Sequence, residues 1–77
     1  MDKDKIKSLK SQIEVAAIAV GREQKAQNFY LDAAEIAYDE ESRQLFLILA
    51  DEEKKHLEQM QELFESVQKK YEEEISK

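Results

Sequence analysis

The sequence predicts an all-α protein, an antiparallel hairpin of two long helices that pairs with a second copy to form a four-helix bundle. Three observations lead there. The chain has no proline and one glycine, so almost nothing in it breaks a helix. Its apolar residues recur at heptad spacing on both sides of one short break. Finally, 77 residues without a cysteine bury only a modest core and form no disulfide, which leaves a metal or self-association to stabilise the fold.

Counted in heptads from Ile6, the first helix has Ile6, Ile13, Val20, Gln27 and Ala34 at its a positions. Leu9, Ala16, Glu23, Tyr30 and Ala37 fall at d, which gives a helix over about residues 5–37. The segment Tyr38 to Ser42 has no apolar periodicity. Within it Asp39 suits an N-cap, and Glu40 and Glu41 suit the positive end of a helix dipole. The turn is therefore expected at about 38–39, and so short a connection lays the helices antiparallel. The second helix, about 40–74, has Phe46, Glu53, Met60 and Val67 at a, and Leu49, His56 and Leu63 at d. Ala50, Leu57, Phe64 and Tyr71 flank them at e, and the tail from Glu72 to Lys77 is expected to fray. No linker or low-complexity tract divides the chain, so residues 1–77 are read as one domain.

The first helix is apolar beyond its seam. Ala19, Ala26 and Ala33 at g, with Val15, Phe29 and Ile36 at c, widen the stripe to roughly half the circumference. Such a helix needs two neighbours, and the chain contains only one. A second hairpin is expected to cover the rest. Leu47 and Ile48 occupy positions that should face solvent, so an additional contact near the turn is expected, with dimers packing into a larger homo-oligomer.

The formal net charge of -6 argues against nucleic acid as a partner, because phosphate is bound through basic surfaces. The apolar runs Val15 to Val20 and Leu45 to Ala50 fall far short of the roughly 20 residues that cross a bilayer. The first residues mix charges and lead into no signal-type apolar core, so the expected location is cytoplasmic.

Charge interrupts the core stripe at three places, Glu23 on the first helix and Glu53 and His56 on the second. All three are expected to point inward. A buried carboxylate without a partner costs several kcal/mol, so buried acids are normally paired or bound to metal. Glu23 lies 16 residues before Asp39, and Glu53 and His56 lie 14 and 17 after it, which at ~1.5 Å per residue puts them level along the hairpin. The i, i+3 spacing of Glu53 and His56 places both on one helical face. One hairpin supplies two carboxylates and one imidazole. Twofold doubling gives four and two, the ligand set of helical di-iron and di-manganese carboxylate proteins.

The stretch Glu23-Gln24-Lys25-Ala26-Gln27-Asn28-Phe29-Tyr30, with Leu45-Phe46 and Ala50-Asp51-Glu52-Glu53-Lys54-Lys55-His56, resembles one helical repeat of the rubrerythrin branch of the ferritin-like superfamily. The match covers about residues 13–65. The resemblance implies Glu23 as a terminal or semi-bridging carboxylate, Glu53 as the bridging carboxylate, and His56 as the nitrogen ligand. It also implies that Tyr30, seven residues after Glu23 on the same stripe, hydrogen-bonds near the ligands. Rubrerythrins generally carry both helical pairs in one chain with a cysteine-rich rubredoxin-type domain for electron delivery. This sequence has one pair and no cysteine, which points to half-size members that assemble their site across a dimer. Some of those are cargo of encapsulin shells, whose targeting peptide the ending Tyr71 to Lys77 does not resemble.

The expected function is therefore a di-iron carboxylate site completed across a homodimer, with two iron ions per dimer, or manganese or zinc in their place. It would oxidise Fe(II) with dioxygen or hydrogen peroxide, as a ferroxidase or peroxide scavenger, with an external electron donor or an encapsulating shell among its partners. No catalytic residue beyond the metal ligands is expected. The alternative is a non-catalytic helical dimerisation module, metal-free or holding a structural zinc, in which Glu23 or Glu53 simply satisfies His56 by hydrogen bonding. Tyr30 reads either as a tuning group or as a core aromatic, and Gln27 either as a partner of the ligands or as a buried polar residue that sets register. Glu14 and Glu52 lie off the central stripe and read as solvated.

Overall fold

The protein, described over residues 2–77 by a computed structural model, is a hairpin of two helices, α1 (Lys3–Ile36) and α2 (Glu40–Ile75). Both ends that begin a helix are capped by aspartate. The Lys5 amide donates to Asp2 Oδ1 at 3.0 Å, and the Ser42 amide donates to Asp39 Oδ1 at 2.7 Å. The Ser42 hydroxyl adds a bond to Asp39 Oδ2 at 2.9 Å, so this one carboxylate takes two donors at the start of α2. Those bonds hold Asp39 below its ordinary carboxylate pKa.

Only Ala37, Tyr38 and Asp39 lie between the helices, and Ala37 and Asp39 are extended. Side by side, the helices make a rod of 58 × 13 × 12 Å.

The seam on α1 follows the a and d positions: Leu9, Ala16 and Ala34 are buried, and Ile13, Val20, Glu23, Gln27 and Tyr30 are half-buried, with Ala19, Ala26 and Ala33 at g half-buried beside them. On α2 the seam differs from the expected one. Ala50, Leu57, Val67 and Glu74 are the buried residues, which centres contact on a and e. His56 and Leu63, at d, are exposed. A helix with one neighbour needs only a narrow stripe, and a/e is the part of the wide α2 stripe that meets α1. His56 and Leu63 therefore lie at an edge that the hairpin alone does not cover, whereas Leu49, also at d, is half-buried.

The far end is ordered, where fraying was expected. Helix α2 runs on to Ile75, and Glu74 is only 4% exposed. Lys5 Nζ from α1 lies 3.2 Å from Glu74 Oε2 and Lys77 Nζ lies 3.1 Å from it, so the buried carboxylate is paired twice and its pKa falls below the ordinary range. Its position continues the α2 a series, seven residues after Val67.

Near the turn, Leu47 is half-buried and shares a shallow groove with Leu31, Ala34 and Arg43, whereas Ile48 is exposed. A broad apolar surface stays open along one side. Val15 and Phe29 are each 67% exposed and Ile36 85%. Val15 and Leu63 line one groove that crosses both helices, so α1 and α2 contribute to the same open face. No helix among the described residues is long and apolar enough to cross a membrane.

Candidate metal centre

Helix periodicity sets the first requirement of the site. Glu53 and His56, one turn apart on α2, present their side chains to the same side, and Glu23 meets them from α1 at the same height. His56 Nδ1 lies 3.6 Å from Glu23 Oε2 and 3.5 Å from Glu53 Oε2. Each of the three residues offers one donor atom, and these atoms lie within 4.8 Å of one another. The nitrogen facing both acids is Nδ1.

Burial is graded across the cluster. The side chains of Glu53 and Glu23 are 22% and 27% exposed and that of His56 is 55% exposed. The expectation that all three point inward thus holds for the two acids only. His56 stands at the edge, on the open face, because the α2 seam runs through a and e.

Two carboxylates held together out of bulk water repel. Glu23 responds with a raised pKa, caused first by the Glu53 carboxyl, which can share a proton with it, then by burial and by the Glu53 charge; the imidazole of His56 opposes the rise. Glu23 Oε2 is nevertheless buried with no hydrogen-bond partner. Such atoms are rare in folded proteins and call for an unseen ion or water.

The donor set fits a divalent cation. First-row ions take carboxylate oxygen and imidazole nitrogen at about 2.0–2.2 Å, so atoms sharing one ion stand roughly 3 to 4.4 Å apart. Both separations from His56 Nδ1 lie in that interval. Two oxygens and one nitrogen leave an ion under-coordinated, however, and the missing ligands would have to come from the open side.

Gln27 and Tyr30 are half-buried on the α1 seam, one and two turns beyond Glu23. The Tyr30 ring packs edge-on against Phe29, with centroids 5.4 Å apart. No donor, Tyr30 and Gln27 included, reaches Glu23 Oε2. Glu14 and Glu52 are exposed. Arg22, which the sequence reading did not single out, lines a shallow groove on α1 with Val15, Ile18, Ala19 and Glu23. The available signal was its place beside Glu23, on the c stripe that carries Val15 and Phe29.

Fold and site together define a class, the helical hairpins whose Glu/Glu/His group can hold a metal ion. The family follows from comparison with known proteins. The sequence model of the family described as Rubrerythrin matches residues 5–77, nearly the whole chain, and the protein belongs to that family. Members of it typically bind iron. No curated protein and no solved structure matches the chain.

Proposed function

We propose that this hairpin is one half of a di-iron carboxylate protein, in which two copies related by a twofold axis bring their Glu23, Glu53 and His56 together around two iron ions. The observation that carries the reading is the buried, unpartnered Glu23 Oε2 beside Glu53 and His56, set on the border of a large open apolar face. Covering that face and completing the ligand set need the same second copy. Manganese or zinc would be held by the same donors.

When bound, paired iron ions supply redox chemistry toward dioxygen or hydrogen peroxide, and the proposed activity is oxidation of Fe(II), as a ferroxidase or a peroxide scavenger, in the cytoplasm. The chain's residues contribute placement and shielding. The carboxylates of Glu23 and Glu53 would hold the metal ions and offset their charge. His56 would offer Nδ1, the nitrogen that faces both acids, as the imidazole donor. Ala50, Leu57 and Ala16, buried along the seam on either side, exclude water from the inner wall of the site. Tyr30 and Gln27 are assigned to the inner surroundings of the ligands, acting on their orientation. An electron donor, or a shell enclosing the protein, would act from outside the bundle.

The test adds Fe(II) anaerobically to apoprotein, measures iron per chain, and then admits oxygen or peroxide while following the visible and ultraviolet spectrum. The reading requires about one iron per chain, from the twofold ligand count, and an iron-dependent absorption that Glu53→Ala abolishes. A chain that takes up no iron, or only zinc with no spectral response to oxidant, is instead a non-catalytic dimerisation module.

A further inference from the structure

Glu74 is a second place where charge enters the seam, and the proposed metal site does not use it. It lies 18 residues after His56, and its partner Lys5 lies 18 before Glu23. Glu74 and the Glu/His cluster therefore stand ~27 Å apart along the same two helices.

The seam has two flanks with different linings. On the flank of the open face, Val15 at c and Gln12 at g on α1 share a groove with Leu63, at d on α2. On the other flank, Ala17, at e on α1, shares a groove with Phe64, at e on α2, and Lys10, also at e, shares one with Tyr71. Lys5 falls at g, one residue before Ile6, and so belongs to the flank of the open face. From there its Nζ comes within 3.2 Å of Glu74 Oε2, at a.

That side matters because the wide apolar stripe of α2 has two ways to pack on α1. With a and e in the seam, as found, position a lies toward the open face. Putting a and d there instead turns α2 by about 50° and moves a to the other flank. At a side-chain radius of 5–6 Å, that turn carries the Glu74 carboxylate about 5 Å from its place and breaks its pair with Lys5. Lys77, 3.1 Å from the same oxygen, sits beyond the end of α2 and turns with it, so Lys5 alone senses the rotation. Lys3 and Lys10, at e on α1, would draw the carboxylate the other way.

We infer that Lys5 is a positioning residue for the Glu/His cluster: by holding Glu74 toward the open face it sets the rotation of α2 that packs Ala50, Leu57 and Val67 in the seam and leaves His56 at the edge, facing Glu23. Apolar content does not by itself exclude the turned arrangement, because d carries Leu49 and Leu63 where e carries Leu57 and Phe64. A buried carboxylate deprived of a cation is strongly disfavoured, and that adds the missing discrimination. The consequence for metal binding rests on the function proposed above, whereas the rotation does not.

The test compares the wild type with Lys5→Met, which keeps a flexible stem and removes the charge, and with Lys5→Arg, which keeps the charge. Nuclear Overhauser contacts between the Phe64 ring and the Ala17 methyl report the rotation in metal-free protein, and electron paramagnetic resonance measures Mn(II) affinity. Lys5→Met should lose those contacts and bind Mn(II) about tenfold more weakly, as when a group that orients metal ligands without touching the ion is removed. Lys5→Arg should match the wild type in both. A Lys5→Met protein that melts lower yet keeps the contacts or the affinity overturns the inference and leaves Lys5 as a plain stabiliser. Lost contacts in a protein whose wild type binds no Mn(II) uphold the rotation and overturn the metal site instead. Should Lys5→Met fail to fold, Glu74→Gln removes the same ion pair from the other helix and is read in the same two ways.

Discussion

His56 Nδ1 on α2 lies 3.6 Å from Glu23 Oε2 on α1, and this approach brings ionisable groups of the two helices together near the middle of the seam. Glu53 Oε2 is 3.5 Å from the same nitrogen, so a single imidazole faces two acids that repel each other.

That arrangement separates the metal-free from the metal-loaded protein. Glu53→Ala removes the main group that raises the Glu23 pKa, so the metal-free variant should melt no lower than the wild type. The gain in Tm on adding Fe(II) anaerobically should disappear. At about a hundredfold excess over Kd that gain corresponds to ~2.7 kcal/mol per site. Thermal melts with and without metal, read by circular dichroism, give both numbers.

At the start of α2, Arg43 grips Glu40 through both oxygens, Nε to Oε2 at 2.9 Å and Nη2 to Oε1 at 2.6 Å, and Gln44 donates to Oε1 at 2.9 Å. These bonds push the Glu40 pKa down to about 2. A carboxylate with a lowered folded-state pKa stabilises the fold above its unfolded value and loses that contribution as pH falls. The wild type should accordingly lose Tm between about pH 4.5 and pH 2, and Glu40→Gln should lose less over that window. Melts of both proteins across the window check the sign.

Gly21 is the only glycine, lies inside α1, and is exposed. It has no positive φ, and a Cβ there would meet nothing within 4 Å. Gly21→Ala should therefore stabilise the protein by about 0.5–1 kcal/mol, through the lower conformational entropy of the unfolded chain and the better helix propensity of alanine. Denaturant titration should show a higher midpoint with an unchanged slope.

Phe29 places a large ring on the open face, 67% exposed in the single hairpin. If a second copy covers it, Phe29→Lys should shift the protein toward monomer and make Tm fall by several degrees, since about 1 kcal/mol moves the Tm of so small a domain by 4–8 °C. Wild-type Tm should rise with protein concentration, and that dependence should weaken in the variant. Sedimentation at several concentrations measures the first effect and calorimetry the second.

Much of this hairpin is legible in its residues. Asp39 marks the second helix because its short side chain can accept from the amide three residues on, a local interaction visible in sequence. The level heights of Glu23, Glu53 and His56 follow from residue counts to the turn and from the helical rise. The Glu74 clasp was hidden because its partner, Lys5, is almost seventy residues away, and only the register from Val67 hinted at its burial.

What the sequence determined by itself is periodicity: two unbroken helices, one short connection near residues 38–39, and three ionisable groups at one level along the rod. Tertiary structure decided which part of each wide apolar stripe meets the other helix. It set the α2 seam on Ala50, Leu57 and Val67, left His56 and Leu63 at the edge, and so placed the imidazole half in the open. The reason is that helical repeats depend on neighbours three and four residues apart, whereas the contact line between two helices is the best fit of all their facing side chains at once.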